Sequence, residues 1–106
     1  MSLWNQLFGG SGSKASAARV DGQRARALVA EGATLVDVRS PAEYGHGHID
    51  GAINIPVNQL KSRLADVPEG AVVVYCRSGA RSAAAGRTLA GAGRENVYDL
   101  GGMSAW

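Results

Sequence analysis

The stretch Ala71-Val-Val-Val-Tyr-Cys-Arg-Ser-Gly-Ala-Arg81 decides how the rest of the chain is organised. Residues 72–75 are apolar and mostly β-branched, which predicts a short strand buried on both faces. The strand delivers Cys76, the only cysteine among 106 residues, to its C-terminal end. A Ser-Gly turn follows, and the alanine-rich run over residues 81–92 predicts a helix. We therefore expect Cys76 in a tight loop between a strand and a helix.

This loop has the features of a nucleophile held in an anion-binding cradle. Backbone N–H groups converge there with the positive end of the helix dipole. Arg77 and Arg81 add two positive charges. We expect a pKa of the Cys76 thiol below the value of about 8.5 for free cysteine, because these surroundings favour the thiolate. The alternative, a buried cysteine that serves only as a small hydrophobic side chain, fits the two arginines and the turn less well.

Composition argues against several other classes of protein. The length of 106 residues suits one domain with a core of its own. The net charge of +2, without a run of Lys or Arg, argues against nucleic-acid binding. No apolar stretch approaches the ~20 residues of a membrane span, and one cysteine excludes an internal disulfide or a cysteine-rich metal site. We predict a cytoplasmic protein without metal or cofactor.

Residues 1–16 differ in composition from the rest of the chain. Gly9-Gly-Ser-Gly-Ser13 is typical of a flexible linker. Leu3, Trp4, Leu7 and Phe8 precede it at about helical spacing, which leaves open a small helix that docks on a partner or a membrane surface. So short a segment does not hold a helix alone, which favours a loosely packed or disordered tail. We predict a flexible tail over residues 1–16 and one domain over residues 17–106.

Short apolar segments alternate with helical segments throughout that domain. Besides the strand that ends at Cys76, strands are predicted near residues 19–20, 34–38, 53–55 and 97–100. This alternation indicates an α/β fold with a parallel sheet covered by helices on both faces, in three layers.

Three further helices are predicted from capping and spacing signals. Asp21 is a good N-cap for a helix through about residue 31. Ser40 precedes a proline at the first helical position and has Glu43 three residues later, as in a capping box. A helix over residues 58–65 would bury Leu60 and Leu64.

Four segments together resemble the rhodanese family of sulfurtransferases. They are the loop Cys76-Arg-Ser-Gly-Ala-Arg-Ser82, Leu35-Val-Asp-Val-Arg-Ser-Pro-Ala-Glu-Tyr44, Gly47-His-Ile-Asp-Gly-Ala-Ile-Asn-Ile-Pro56 and Asn96-Val-Tyr-Asp-Leu-Gly-Gly-Met-Ser-Ala-Trp106. They occur in the family's order and spacing and cover most of the chain from about residue 19. The resemblance implies a five-stranded sheet in the order 3-2-4-5-1, with Cys76 and the pair Asp37/Arg39 leaving adjacent strands at the same carboxyl edge.

The resemblance also implies sulfur transfer through a persulfide on Cys76, from a donor such as thiosulfate to cyanide or a thiol. The residues implied to bind the substrate are Arg77, Ser78, Gly79, Ala80 and Arg81. Asp37 and Arg39 are interpreted as residues that support the loop, and Asp37 as a possible ion-pair partner of Arg81. His48 is expected to be a hydrogen-bonded structural residue, and His46 to be solvated.

The length of the loop bears on the choice of reaction. Four residues separate Cys76 from Arg81, whereas phosphatases and arsenate reductases of this fold have five. The shorter loop suits a single sulfur atom bonded to Cys76, so those two activities are the less favoured alternatives. A non-catalytic sulfur carrier or interaction module is a third. The family's domains continue into a final helix where this sequence ends at Trp106, so we expect that helix to be absent or a single turn.

Overall fold

The structure, a computed structural model, describes residues 17–106; the predicted tail over residues 1–16 lies outside this range. Five strands and four α-helices alternate along the chain. They are β1 (Ala18–Arg19), α1 (Gly22–Ala30), β2 (Thr34–Asp37), α2 (Pro41–His46), β3 (Ile53–Asn54), α3 (Val57–Leu60), β4 (Val72–Cys76), α4 (Ala80–Gly91) and β5 (Val97–Gly102). Two 3₁₀ helices, Lys61–Asp66 and Met103–Ala105, follow α3 and β5.

The strands form one parallel sheet in the order β1-β5-β4-β2-β3. This is the predicted order read from the other edge, so the α/β fold and its topology are confirmed. β4 lies at the centre, between β2 and β5. Cys76 is the last residue of β4 and therefore lies at the carboxyl edge of the sheet, between the ends of β2 and β5. Ligands bind at this edge in open α/β sheets. Among the residues described, no helix is both long and apolar enough to cross a lipid bilayer.

Side chains of β4 alternate between two buried clusters, one on each face of the sheet. Val72, Val74 and Cys76 pack into the cluster that includes Leu60 and Leu89, from α3 and α4. Val73 and Tyr75 pack into the cluster that contains Ala25 and Leu28 from α1. All five residues of β4 are completely buried. The predicted strand, buried on both faces, is confirmed.

The helices α1 and α2 begin directly after the residues predicted to cap them. The Asp21 carboxylate accepts the backbone N–H of Arg24 at 2.8 Å and caps α1. Ser40 and Glu43 form the complete capping box at the start of α2. Each cap satisfies backbone N–H groups that have no partner within the helix. The helix predicted over residues 81–92 is α4, displaced by one residue.

The single helix predicted over residues 58–65 is wrong. α3 ends at Leu60 and a 3₁₀ helix continues over Lys61–Asp66, interrupted at Arg63, whose φ of −122° and ψ of 27° are not helical. Leu60 is completely buried, whereas Leu64 is only partly buried. The tighter 3₁₀ winding changes the spacing of side chains, and Leu64 packs against the cluster that contains Leu60 without being fully buried there.

A β-bulge shapes β5 one residue before the level of Cys76. Val74 is opposite Asp99, but Tyr75 is opposite Gly101, so Leu100 is an extra residue on β5. Gly101 has φ +87°, a conformation that glycine adopts without steric cost, and it donates its N–H to the Asp99 carboxylate at 2.8 Å. The bulge brings Gly102 directly opposite Cys76.

Candidate active site

The Cys76 sulfur is surrounded by the loop that joins β4 to α4. Sγ accepts the backbone N–H of Gly79 at 3.0 Å and of Ser82 at 3.3 Å. Gly79 reverses the chain with φ +113°, a conformation that favours glycine, and α4 starts at the next residue. The Ser82 hydroxyl donates to the Gly79 carbonyl at 3.1 Å and ties the loop to the first turn of the helix. These donors can stabilise a negative charge on the sulfur.

The loop makes Cys76 a stronger acid than an ordinary cysteine. Burial raises the pKa of its thiol, because it disfavours the charged form. Hydrogen bonds from Ser82 and from the backbone N–H groups of Gly79 and Arg81 outweigh burial, so the pKa is lowered overall. The predicted direction of the shift is confirmed. The residue itself is completely buried, which the sequence did not indicate.

Arg81 has a different ion-pair partner from the one predicted. Its guanidinium donates to both Glu43 carboxylate oxygens, at 2.7 and 3.0 Å. The interpretation of Asp37 as its partner is wrong, because Asp37 is paired with Arg39. The sequence did not indicate Glu43 as a site residue, because the capping box already accounted for it. The pair joins the first turn of α2 to the first turn of α4, so it clamps the start of the helix that follows Cys76.

Replacing Glu43 with glutamine is expected to lower stability at neutral pH, with a difference from wild type that shrinks in acid. The hydrogen bonds from Arg81, and then from Ser40, hold the pKa of this carboxyl far below its usual range. A depressed pKa contributes stability above the unfolded value, about 4.3, and the contribution is lost as pH falls through the folded value. Urea unfolding of both proteins between pH 7 and pH 2 measures this.

Glu69→Gln is the matched control, since Glu69 is exposed and forms no salt bridge within residues 17–106. It should unfold like wild type throughout. A Glu43→Gln difference that stayed constant down to pH 2 would contradict the role of the ion pair.

Asp37 and Arg39 form a buried pair at the end of β2. The Arg39 guanidinium donates to the Asp37 carboxylate at 2.7 to 3.1 Å and to the Gly47 carbonyl at 2.7 Å. The hydrogen bonds to Asp37 raise the pKa of Arg39 further above its ordinary value. The guanidinium also lies 5.8 Å from the centre of the Tyr75 ring. Within the described chain, neither side chain hydrogen-bonds to residues 77–82, so any support for the loop is indirect.

A cleft opens above the carboxyl ends of β2, β4 and β5. Its volume is about 540 Å³, and it is lined by Arg39, Glu43, His46, Arg77, Met103 and Ser104. Arg77 is exposed and forms no salt bridge within the part of the chain that the structure describes. Its charge is thus available to an anion in the cleft. Ser78 and Ala80 are exposed on either side of Gly79, whose hydrogen bond to the sulfur is partly buried.

The two histidines of the Gly45-His-Gly-His48 segment have different surroundings. His48 Nδ1 lies 2.8 Å from the Tyr44 carbonyl oxygen, and its ring stacks on the Tyr44 ring with 3.7 Å between centroids. The expected structural role of His48 is confirmed. His46 is exposed, as expected, but it lines the cleft. Its position at the end of a six-residue helix gave no signal of this in the sequence.

Gly102 supports the cysteine loop through close backbone contact. A Cβ at this position would lie 2.8 Å from the Arg77 carbonyl oxygen, closer than real side chains approach. Replacing Gly102 with alanine must therefore displace the Arg77 peptide. We expect a loss of stability of about 1–3 kcal/mol and a roughly tenfold slower reaction at Cys76, because a small misplacement of reacting groups is costly.

Gly45→Ala is the control for this prediction. A Cβ there meets no atom within 4 Å, and alanine within a helix is favoured by about 0.5–1 kcal/mol over glycine. Assays of the reaction at Cys76 and urea unfolding of the two variants separate a specific contact from a general effect of alanine. Wild-type turnover by Gly102→Ala would show that the contact does not position the loop.

Comparisons with known proteins agree on one family. Residues 21–106 match the sequence profile of the rhodanese-like domain. The Bacillus subtilis protein YqhL is 43% identical over 76 residues, which cover 70% of this chain and 60% of YqhL. The thiosulfate sulfurtransferase GlpE of Pseudomonas entomophila is 40% identical over 91 residues, 83% of each chain. The solved human single-domain sulfurtransferase TSTD1 is 31% identical, with a TM-score of 0.71 over 85% of this chain and 92% of TSTD1.

Proposed function

Because the chain belongs to the family of rhodanese-like domains, and its relatives include sulfurtransferases, we propose that it transfers sulfane sulfur from thiosulfate through a persulfide on Cys76. The observation that carries this proposal is the position of Sγ, which accepts two backbone N–H groups at the junction of β4 and α4. A thiol with a lowered pKa and donors already in place is suited to a cycle in which Sγ is a thiolate at the start and at the end, and in which the outer sulfur of the persulfide carries the negative charge in between.

The reaction has two nucleophilic steps. In the first, the Cys76 thiolate attacks the outer sulfur of thiosulfate; a new S–S bond forms, the S–S bond of thiosulfate breaks, and sulfite leaves with the electron pair. In the second, cyanide or an acceptor thiolate attacks the outer sulfur of the persulfide. The bond to Cys76 breaks, the thiolate is regenerated, and thiocyanate or the acceptor's persulfide is released.

Arg77 is assigned to the donor's oxygens. Its side chain lines the cleft, and within residues 17–106 it has no carboxylate partner. The Arg81 side chain is assigned a smaller role in binding the donor than its charge suggests, because its guanidinium already donates two hydrogen bonds to the Glu43 carboxylate. Its backbone N–H, with the loop from Ser78 to Ala80, completes the cradle. Asp37 and Arg39 act by holding the end of β2 rather than by touching the reacting atoms.

The acceptor must come from outside the chain. Cys76 is the only cysteine of the sequence, so no second thiol of the same chain can take the sulfur as a disulfide forms. The proposed acceptors are cyanide or a small or protein-borne thiol. Thiols are kept reduced in the cytoplasm, which is where we place the activity.

The test is the intact mass of the protein after incubation with thiosulfate. We expect a gain of one sulfur atom that requires Cys76 and disappears on addition of cyanide, with thiocyanate formed over repeated turnovers. Loading and release in a single round only, without turnover, would favour a sulfur carrier instead. No loading, together with hydrolysis of an aryl phosphate or reduction of arsenate, would replace the proposal by the alternative chemistry of this fold.

A further inference from the structure

The cleft lined by Arg77, the residue after Cys76, is larger than the proposed donor requires. Its volume of about 540 Å³ falls within the range of about 300–1,000 Å³ that is typical of small-molecule sites, whereas thiosulfate has only five heavy atoms. Its lining residues follow β4, which ends at Cys76, and the two strands β2 and β5 that flank β4. This position leaves room for the molecule that removes the sulfur in the second step.

A thiol acceptor must lose its S–H proton before or during its attack on the persulfide. Only the thiolate is a nucleophile, and an ordinary thiol with a pKa of about 8.5 is mostly protonated at pH 7. The proton must therefore leave as the sulfur attacks. A general base within reach of that proton accelerates such a step by about 10²–10⁴-fold.

Of the six residues that line the cleft, one is suited to accept the proton. Arginine does not deprotonate in proteins, which excludes Arg39 and Arg77. Glu43 is occupied by Arg81, which makes its carboxylate a weak base. Met103 and Ser104 have no basic group at neutral pH. His46 remains, and histidine is the side-chain type that ordinarily gains and loses a proton between pH 5 and 8.

The surroundings of His46 leave its ring free for this role. It is exposed and makes no hydrogen bond to the described residues, unlike His48, which is held by Tyr44. The charged groups that share its cleft are Glu43 on its own helix, Arg39 after β2 and Arg77 after β4. The end of β5 contributes only uncharged side chains.

We propose that His46 is the general base for thiol acceptors, a proposal that rests on the function proposed above. As the acceptor approaches, its S–H bond breaks and the proton moves to an imidazole nitrogen of His46. The sulfur bonds to the outer sulfur of the persulfide, and the S–S bond to Cys76 breaks with its electron pair returning to Cys76. The acceptor leaves as its persulfide anion, and His46 releases the proton to water.

The experiment is single-turnover transfer from protein already loaded with sulfur, using two probes. 2-Mercaptoethanol is protonated at pH 7, whereas a nitro-substituted thiophenol is already ionised. We expect His46→Gln to slow transfer to 2-mercaptoethanol at pH 7 by at least about tenfold, and to leave transfer to the thiophenol unchanged. The variant's rate with 2-mercaptoethanol should rise about tenfold per pH unit with the thiolate fraction, so the ratio of the wild-type rate to the variant rate should be largest at pH 7 and should fall towards one as the pH is raised to 8.5.

His48→Gln is the matched control and should behave as wild type with both probes. Equal slowing of both probes by His46→Gln would indicate a positional effect and overturn the proposal, as would an unchanged rate with 2-mercaptoethanol. Loading is measured first, by mass. Failure of the wild-type protein to load overturns the proposed function and this inference with it, whereas normal loading with an unchanged thiol step overturns only the role of His46.

Discussion

Replacing Cys76 with serine is expected to reduce sulfur transfer by about 10⁴-fold or more, to the background of the assay. A serine hydroxyl is not ionised at neutral pH, and its oxygen does not form the sulfur–sulfur bond that holds the transferred atom. Since Cys76 is the only cysteine in the sequence, no neighbouring thiol can replace it.

The same substitution should leave the fold intact. Serine keeps the shape of the side chain, and its oxygen can accept the N–H groups of Gly79 and Ser82 that the sulfur accepts in wild type. Thiocyanate formation and intact mass report the chemistry, while the urea midpoint reports the fold. Cys76→Ala is a second variant that removes the nucleophile without adding a hydroxyl. Sulfur loading by either folded variant would refute the persulfide mechanism.

Replacing Arg39 with leucine is expected to lower the free energy of unfolding by about 3–5 kcal/mol. The Asp37 carboxylate is completely buried and receives its side-chain hydrogen bonds from the Arg39 guanidinium. Leucine removes the positive charge and leaves the negative one inside the protein. The Gly47 carbonyl loses its donor at the same time.

Urea unfolding measures this effect, and a double variant identifies its cause. Asp37→Asn combined with Arg39→Leu removes both charges, so it should be more stable than Arg39→Leu alone. Arg63→Leu is the exposed control: its pair with Asp66 has side-chain exposures of 39% and 54%, and such pairs contribute about 0–1 kcal/mol. A loss no greater for Arg39→Leu than for Arg63→Leu would show that the buried carboxylate does not need its partner.

Much of the fold was predictable because its signals are local. A helix cap depends on residues three positions apart, as at Asp21 and Ser40, and both caps are found as predicted. The burial of β4 on both faces follows from a run of apolar residues. Cys76 and its lowered thiol pKa follow from the strand, the turn and the helix that are contiguous around it.

The remaining features depend on contacts between distant parts of the chain. Glu43 and Arg81 are 38 positions apart. The capping box accounted for Glu43 and the cysteine loop accounted for Arg81, so the sequence did not indicate that the two residues form an ion pair. The order of the strands came from the family resemblance, because pairing between parallel strands separated by helices has no local signature. The interruption of the helix at Arg63 was not encoded in the spacing of Leu60 and Leu64. His46 became visible as a cleft residue only when three strand ends were brought together.

The complete burial of Cys76 has a consequence for a protein that handles reactive sulfur. A disulfide between two chains requires the two sulfur atoms to approach within about 2.05 Å, and a sulfur enclosed by its own loop does not meet its counterpart on a second molecule. We therefore expect the chain to resist cross-linking through Cys76 at high concentration, because each of two buried sulfur atoms would first have to leave its own loop.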